Sequence, residues 1–130
     1  MRKNYFIIIL LVAVIVVLLN FNNIRDFIFH GQISRVENIG NFKVDMYVSG
    51  GMKHIVISGL ISSSAEGAKS LEVTYEGSKM VIDVNTTLAR SGIDGNIYMD
   101  VILPSNVESV LFGPHRTVIW SAKTGNIGLN

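Results

Sequence analysis

The chain has 130 residues, with 11 Lys and Arg against 10 Asp and Glu, and no cysteine. A formal charge of +1 with no basic cluster argues against a nucleic-acid partner held through phosphate contacts. The missing thiols exclude disulfides, thiolate metal sites, cysteine nucleophiles and a lipid-modified N-terminal cysteine together.

Tyr5 to Leu19, YFIIILLVAVIVVLL, is a run of fifteen apolar residues with Arg2 and Lys3 before it. Between Lys3 and Arg25, twenty-one residues pass without a charge. As a helix they would reach ~31 Å, about one hydrocarbon core. The run is apolar on every side, which leaves a buried globular helix no face for water. A cleaved secretory signal needs small residues just past its apolar core, and the chain continues instead as Asn20-Phe21-Asn22-Asn23. The expectation is an uncleaved signal-anchor transmembrane helix over residues 1–23, with Tyr5, Phe6, Leu19 and Phe21 marking its two membrane interfaces. Arg2 and Lys3 then hold the N-terminus in the cytoplasm and direct the remainder to the extracytoplasmic side, periplasmic or extracellular.

Residues 24–41 read either as a juxtamembrane stalk that prolongs the helix or as a first edge strand. From Phe42 the period becomes two, the mark of half-buried strands. Phe42, Val44, Met46 and Val48 alternate with Lys43, Asp45, Tyr47 and Ser49 up to Gly50-Gly51, which supplies the positive backbone angles of a two-residue hairpin turn. Closing the hairpin there pairs Met46 with Ile55, Val44 with Ile57 and Tyr47 with His54. A second hairpin turns at Gly77-Ser78 and pairs Tyr75 with Met80, Val73 with Ile82 and Leu71 with Val84. It also sets Glu72 opposite Asp83, two like charges across a ladder.

Gly59–Ser70 and Thr86–Gly95 are rich in small and polar residues and read as loops joining two layers. Ile97, Met99, Val101 and Leu103 form a further alternating strand that Pro104 stops. Val107–Phe112 and Thr117–Trp120 follow, separated by Gly113-Pro114-His115-Arg116, and residues 123–130 read as a tail. With Pro114–Arg116 as the loop, Val110 pairs with Trp120, Phe112 with Val118, and Leu111 with Ile119. Both faces of that hairpin are then apolar, so Leu111 and Ile119 become a candidate interface, covered by residues 24–39, by a second copy or by a partner. The fold class is an all-β ectodomain over residues 42–122, a small antiparallel β-sandwich or barrel of six to seven short strands.

Chemistry is sparse. His30, His54 and His115 do not share an element as metal ligands would, Ser62–Ser64 lacks a nucleophile motif, and Asp94-Gly95-Asn96 lacks the spaced acids of a calcium loop. Asn85-Thr86-Thr87 has the form of an N-glycosylation acceptor. No catalytic, cofactor or metal residue is assigned. A domain this small leaves little room for a pocket of several hundred Å3. The reading is a membrane-anchored binding or accessory module that meets the lipid bilayer and another envelope protein or a second copy of itself. The alternative is a small hydrolase or metal-binding protein drawing on scattered residues such as His54, Asp100 or Glu72.

Overall fold

A computed structural model describes residues 2–28, 31–33, 36–63, 65–90 and 92–126. It divides into two compact units, Met1–His30 and Gly31–Asn130. The first holds helices α1 (Arg2–Leu19) and α2 (Phe21–Ile28). Eight of the fifteen residues from Tyr5 to Leu19 are Ile or Val, types that favour strands in water, yet the segment is helical throughout. Its large side chains from Tyr5 to Leu19 are 45–80% exposed, so none of its faces is packed.

Among the described residues, no helix is long and apolar enough to cross a membrane. The single span expected across the uncharged stretch is divided instead. The apolar part of α1 stops at Leu19 after fifteen residues, ~22 Å of helix against a hydrocarbon core of ~30 Å. Asn20 sits in a turn, and its side-chain amide donates to the Val16 carbonyl at 2.9 Å. Such side-chain competition for backbone carbonyls is what makes asparagine interrupt helices. The helical path nonetheless continues, since Asn20 N–H donates to Val16 O at 3.1 Å and Ile24 N–H to Asn20 O at 2.9 Å.

The second unit is β-rich, with nine strands among the described residues: β1 (Gly31–Gln32), β2 (Ile39–Ser49), β3 (Met52–Ile61), β4 (Glu66–Glu76), β5 (Lys79–Leu88), β6 (Asn96–Ile102), β7 (Ser109–Phe112), β8 (Thr117–Ser121) and β9 (Gly125–Asn126). Residues 24–41 thus contain both readings, a helix to Ile28 and then the short strand β1. The strands outnumber and outrun the expected six or seven. β4 begins inside the expected loop 59–70, and β5 continues through Thr86 and Thr87, whose side chains are buried.

One sheet is antiparallel β2–β3–β6, and the other is built on β5. β4 lies along one side of β5, while the other side is shared between β1 and β7, and β8 and β9 extend the sheet from β7. The β2–β3 hairpin has the register its sequence dictates, Met46 with Ile55, Val44 with Ile57 and Tyr47 with His54. Gly50 and Gly51 turn it at φ 58° and 77°, the pair of positive angles that fits the strand twist. The β4–β5 hairpin likewise pairs Tyr75 with Met80, Val73 with Ile82 and Leu71 with Val84.

Two expectations about sheet pairing are corrected. β5 and β7 run parallel, from Lys79 beside Ser109 to Ile82 beside Phe112. The intervening β6 belongs to the other sheet, and this crossover supplies the long connection that a parallel pair requires. In the β7–β8 hairpin a bulge after Val110 shifts the partners, so Leu111 faces Val118 and Phe112 faces Thr117, while Val110 keeps Trp120. The extra residue turns Ile119 inward together with Trp120. Both join a core between the sheets with Ile55, Ile57, Met80, Ile82 and Phe112. Phe42 of β2 meets Phe112 of β7 edge to face, with ring centroids 5.6 Å apart.

Candidate functional site

β2, β3 and β6 turn alternate residues to the core, so their remaining side chains stand on one outer face. Register puts Tyr47 directly opposite His54, and His54 opposite Ile102. Asp100, two residues before Ile102, is therefore the diagonal neighbour of His54. Three adjacent strands thus bring a phenol, an imidazole and a carboxylate together.

The Tyr47 hydroxyl donates to Asp100 Oδ2 at 2.5 Å. His54 Nδ1 lies 3.0 Å from Asp100 Oδ1 and 3.2 Å from the Tyr47 oxygen. The two rings stack with centroids 4.6 Å apart and an interplanar angle of 19°. A carboxylate accepts hydrogen bonds, so the proton of a neutral His54 resides on Nδ1 and Nε2 is left as an acceptor. Hydrogen bonds from Tyr47 and then His54 hold Asp100 below the ordinary carboxylate value. Donation to Asp100, with partial burial and the repulsion of that charge, raises the Tyr47 hydroxyl above its ordinary value.

Around this cluster the face is open. Tyr98 is 68% exposed and Ile102 44%, and Asp45 stands across Val56 from Asp100. The arrangement immobilises three side chains and presents an imidazole acceptor beside aromatic and apolar surface. Among the described residues, no group of three or more His, Asp or Glu side chains could hold a metal ion.

Of the residues singled out from sequence, His54 and Asp100 are brought together. Glu72 lies on the other sheet, where it accepts from Asn85 Nδ2 at 2.8 Å. Tyr47 was missed as a site residue. Its pairing with His54 follows from the Gly50-Gly51 turn, whereas the position of β6 beside β3 has no local signal. Leu111 and Ile119 are 4% and 0% exposed, so they present no surface. Ile119 belongs to the core between the sheets, and Leu111 lies beside Val81 on the opposite side of its sheet. Tyr5, Phe6, Leu19 and Phe21 are all more than half exposed on the helices.

Several weaker motifs resolve into structure. Asp94 accepts from Asn96 N–H at 2.9 Å and Asn96 Nδ2 at 3.1 Å, which makes a turn and lowers the Asp94 carboxyl below its ordinary value. Asn85 Nδ2 is bonded to Ser70 and Glu72, and Thr87 is buried, so the Asn85-Thr86-Thr87 triplet is sheet rather than an open acceptor. Arg116 pairs with Glu76 at 2.8 Å and lies 3.9 Å from Asp83. Glu72 is thus hydrogen-bonded by Asn85, whereas Asp83 Oδ1 is buried without a hydrogen bond and has the Arg116 charge only at 3.9 Å. His115 is exposed in the turn, and His30 lies outside the described residues.

The expectation of little room for a pocket is also corrected. Where β3 ends and β4 begins, an open cleft of about 620 Å3 lies between Leu60–Ser63, Glu66, the pair Ala89 and Arg90, and Ile93–Gly95. A second lobe of about 390 Å3 shares Ile61, Ser62, Ser63 and Glu66 and reaches Gln32 and Asn38. Ile61 N–H donates to Gly95 O at 2.8 Å and Ser62 N–H to Asn38 O at 2.9 Å, which fixes the floor. Comparison of the chain with known protein families, with characterised proteins and with solved structures gives no match.

Proposed function

We propose that the chain is a single-pass, membrane-anchored binding module. In this reading its β unit is extracytoplasmic and meets another envelope protein through the outer face of β2, β3 and β6. The observation that carries the membrane part is the unpacked state of α1. A helix rich in Ile and Val with no packed face has little to hold it in water, where isolated helices of this length are marginal. In lipid a helix satisfies every backbone group by itself. The shortfall of ~8 Å against the hydrocarbon core is of the kind that local thinning of the bilayer accommodates. The bond from Asn20 to Val16 O lowers the cost of placing an amide near hydrocarbon.

The Asp100 cluster supports binding rather than catalysis. It stands on a flat exposed face, and Tyr98 and Ile102 beside it offer the aromatic and apolar anchors that carry binding energy. Ordering Tyr47, His54 and Asp100 beforehand lowers the entropy lost on association. A photoreactive residue at position 98 of the full chain, irradiated in the native membrane, is expected to give one dominant crosslinked protein. Uniform labelling of lipid or of abundant bystanders would count against this face. Release of the chain by alkaline carbonate would count against the anchor.

A further inference from the structure

We propose that the two-lobed cleft at the β3–β4 end binds the free N-terminal residue of a peptide, its ammonium on Glu66 and its first side chain against Leu60 and Ile93. The cleft lies at the far end of β3 from His54 and shares only Leu60 with the outer side of the β2–β3–β6 sheet, so it does not depend on that face having a partner. Glu66 lines both lobes and is the one acidic residue they share. Among the described residues no hydrogen bond or ion pair engages that carboxylate. Of the other charged residues that line the larger lobe, Asp94 accepts hydrogen bonds from Asn96 and Arg90 has an interaction of its own.

The lobes differ in chemistry, and the difference selects the ligand. The larger is mainly apolar, with Leu60, Ile61, Ala89 and Ile93 offering surface for an apolar side chain and Arg90 and Asp94 also on its lining. The smaller offers Gln32, Asn38, Ser62 and Ser63, amides and hydroxyls that pair with peptide groups, and Glu66 is its one charged lining residue among those described. A carboxylate between an apolar and an amide-bearing lobe complements an ammonium that carries an apolar side chain and continues as a peptide. An anionic ligand would meet Glu66 unfavourably. A plain hydrocarbon would leave the polar lobe unpaired.

The test is calorimetric titration of the full chain in detergent micelles with Leu-Ala-Ala, with its N-acetylated form and with leucine amide. The free tripeptide is expected to bind, and acetylation, which removes the charge, to weaken it at least tenfold. Leucine amide should bind more weakly than the tripeptide, because it leaves the polar lobe empty. Glu66→Gln should reduce the free peptide to the level of the acetylated one with Tm unchanged, and Leu60→Ser should weaken both peptides in proportion. Equal binding of the two peptides, binding of neither, a preference that survives Glu66→Gln, or leucine amide binding as tightly as the tripeptide would overturn the proposal.

Discussion

Asp100 governs two titrations of opposite sign. Its carboxyl is held below the ordinary value by Tyr47 and His54, so the stability it contributes is complete above about pH 4 and is lost as pH falls through the depressed folded value. The Tyr47 hydroxyl is raised above 10.0, so its contribution is complete below that value and is lost as pH rises through the higher folded one. Asp100→Asn should therefore reduce the fall in Tm on acidification and bring the Tyr47 phenol back toward its ordinary value. Absorbance titration of the tyrosinates, with Tyr47→Phe as the reference, reads the second effect. An unchanged alkaline curve in Asp100→Asn would show that Tyr47 does not donate to Asp100. A different residue-scale outcome is expected at Phe112, fully buried and in contact with Phe42. Phe112→Ala should cost about 3–5 kcal/mol in denaturant unfolding.

The hairpins show which part of an element is written locally. Both turns carry glycine where a positive φ is required, and alternation fixes which residues face inward, so the registers of β2–β3 and β4–β5 follow from the sequence. Gly51→Val, at φ 77°, should cost about 1–2 kcal/mol. The β7–β8 hairpin was misread because a bulge is a choice made by packing. Val118, Ile119 and Trp120 are all apolar, so pattern alone does not say which of them is the extra residue. The core decides, and it takes both Ile119 and Trp120. The extent of β4 and β5 was missed for a related reason. Gly67, Ala68 and Ser70 resemble a loop, but Gly67 lies where a Cβ would come within 2.7 Å of the Ile93 carbonyl oxygen, so a small residue is a condition of that strand. Leu111→Lys with Ile119→Lys is expected to prevent folding, read as loss of the sheet signal in circular dichroism, because both charges would be buried and unpaired. A folded double variant with altered self-association would restore the interface reading.

For the whole molecule, the division at residues 30 and 31 falls inside the segment 24–41, between the apolar run that ends at Leu19 and the alternation that begins at Phe42, so the sequence shows the two parts but not where they meet. A chain beginning at Gly31 retains β1 and every partner of the β unit, and it should be soluble and sheet-rich by circular dichroism. The full chain should stay in the membrane pellet after a carbonate wash. A disordered spectrum from the shorter chain would mean that the helical part is needed for the sheets to form. What no sequence pattern foretold is the order of strands, since β5 takes its parallel neighbour β7 from thirty residues further along. That arrangement has a consequence for synthesis. The first four long strands leave the ribosome as two local hairpins able to form in microseconds, but the edge of β5 along Lys79–Ile82 has no neighbour until residues 109–112 have followed. Val110, Phe112, Ile119 and Trp120, which complete the core, are among the last to arrive. During synthesis the chain therefore carries an unpaired strand edge and an incomplete core until its last residues have emerged, and a stop codon or a cleavage shortly before Ser109 would leave a product that holds its hairpins yet aggregates through the edge that β7 should have closed.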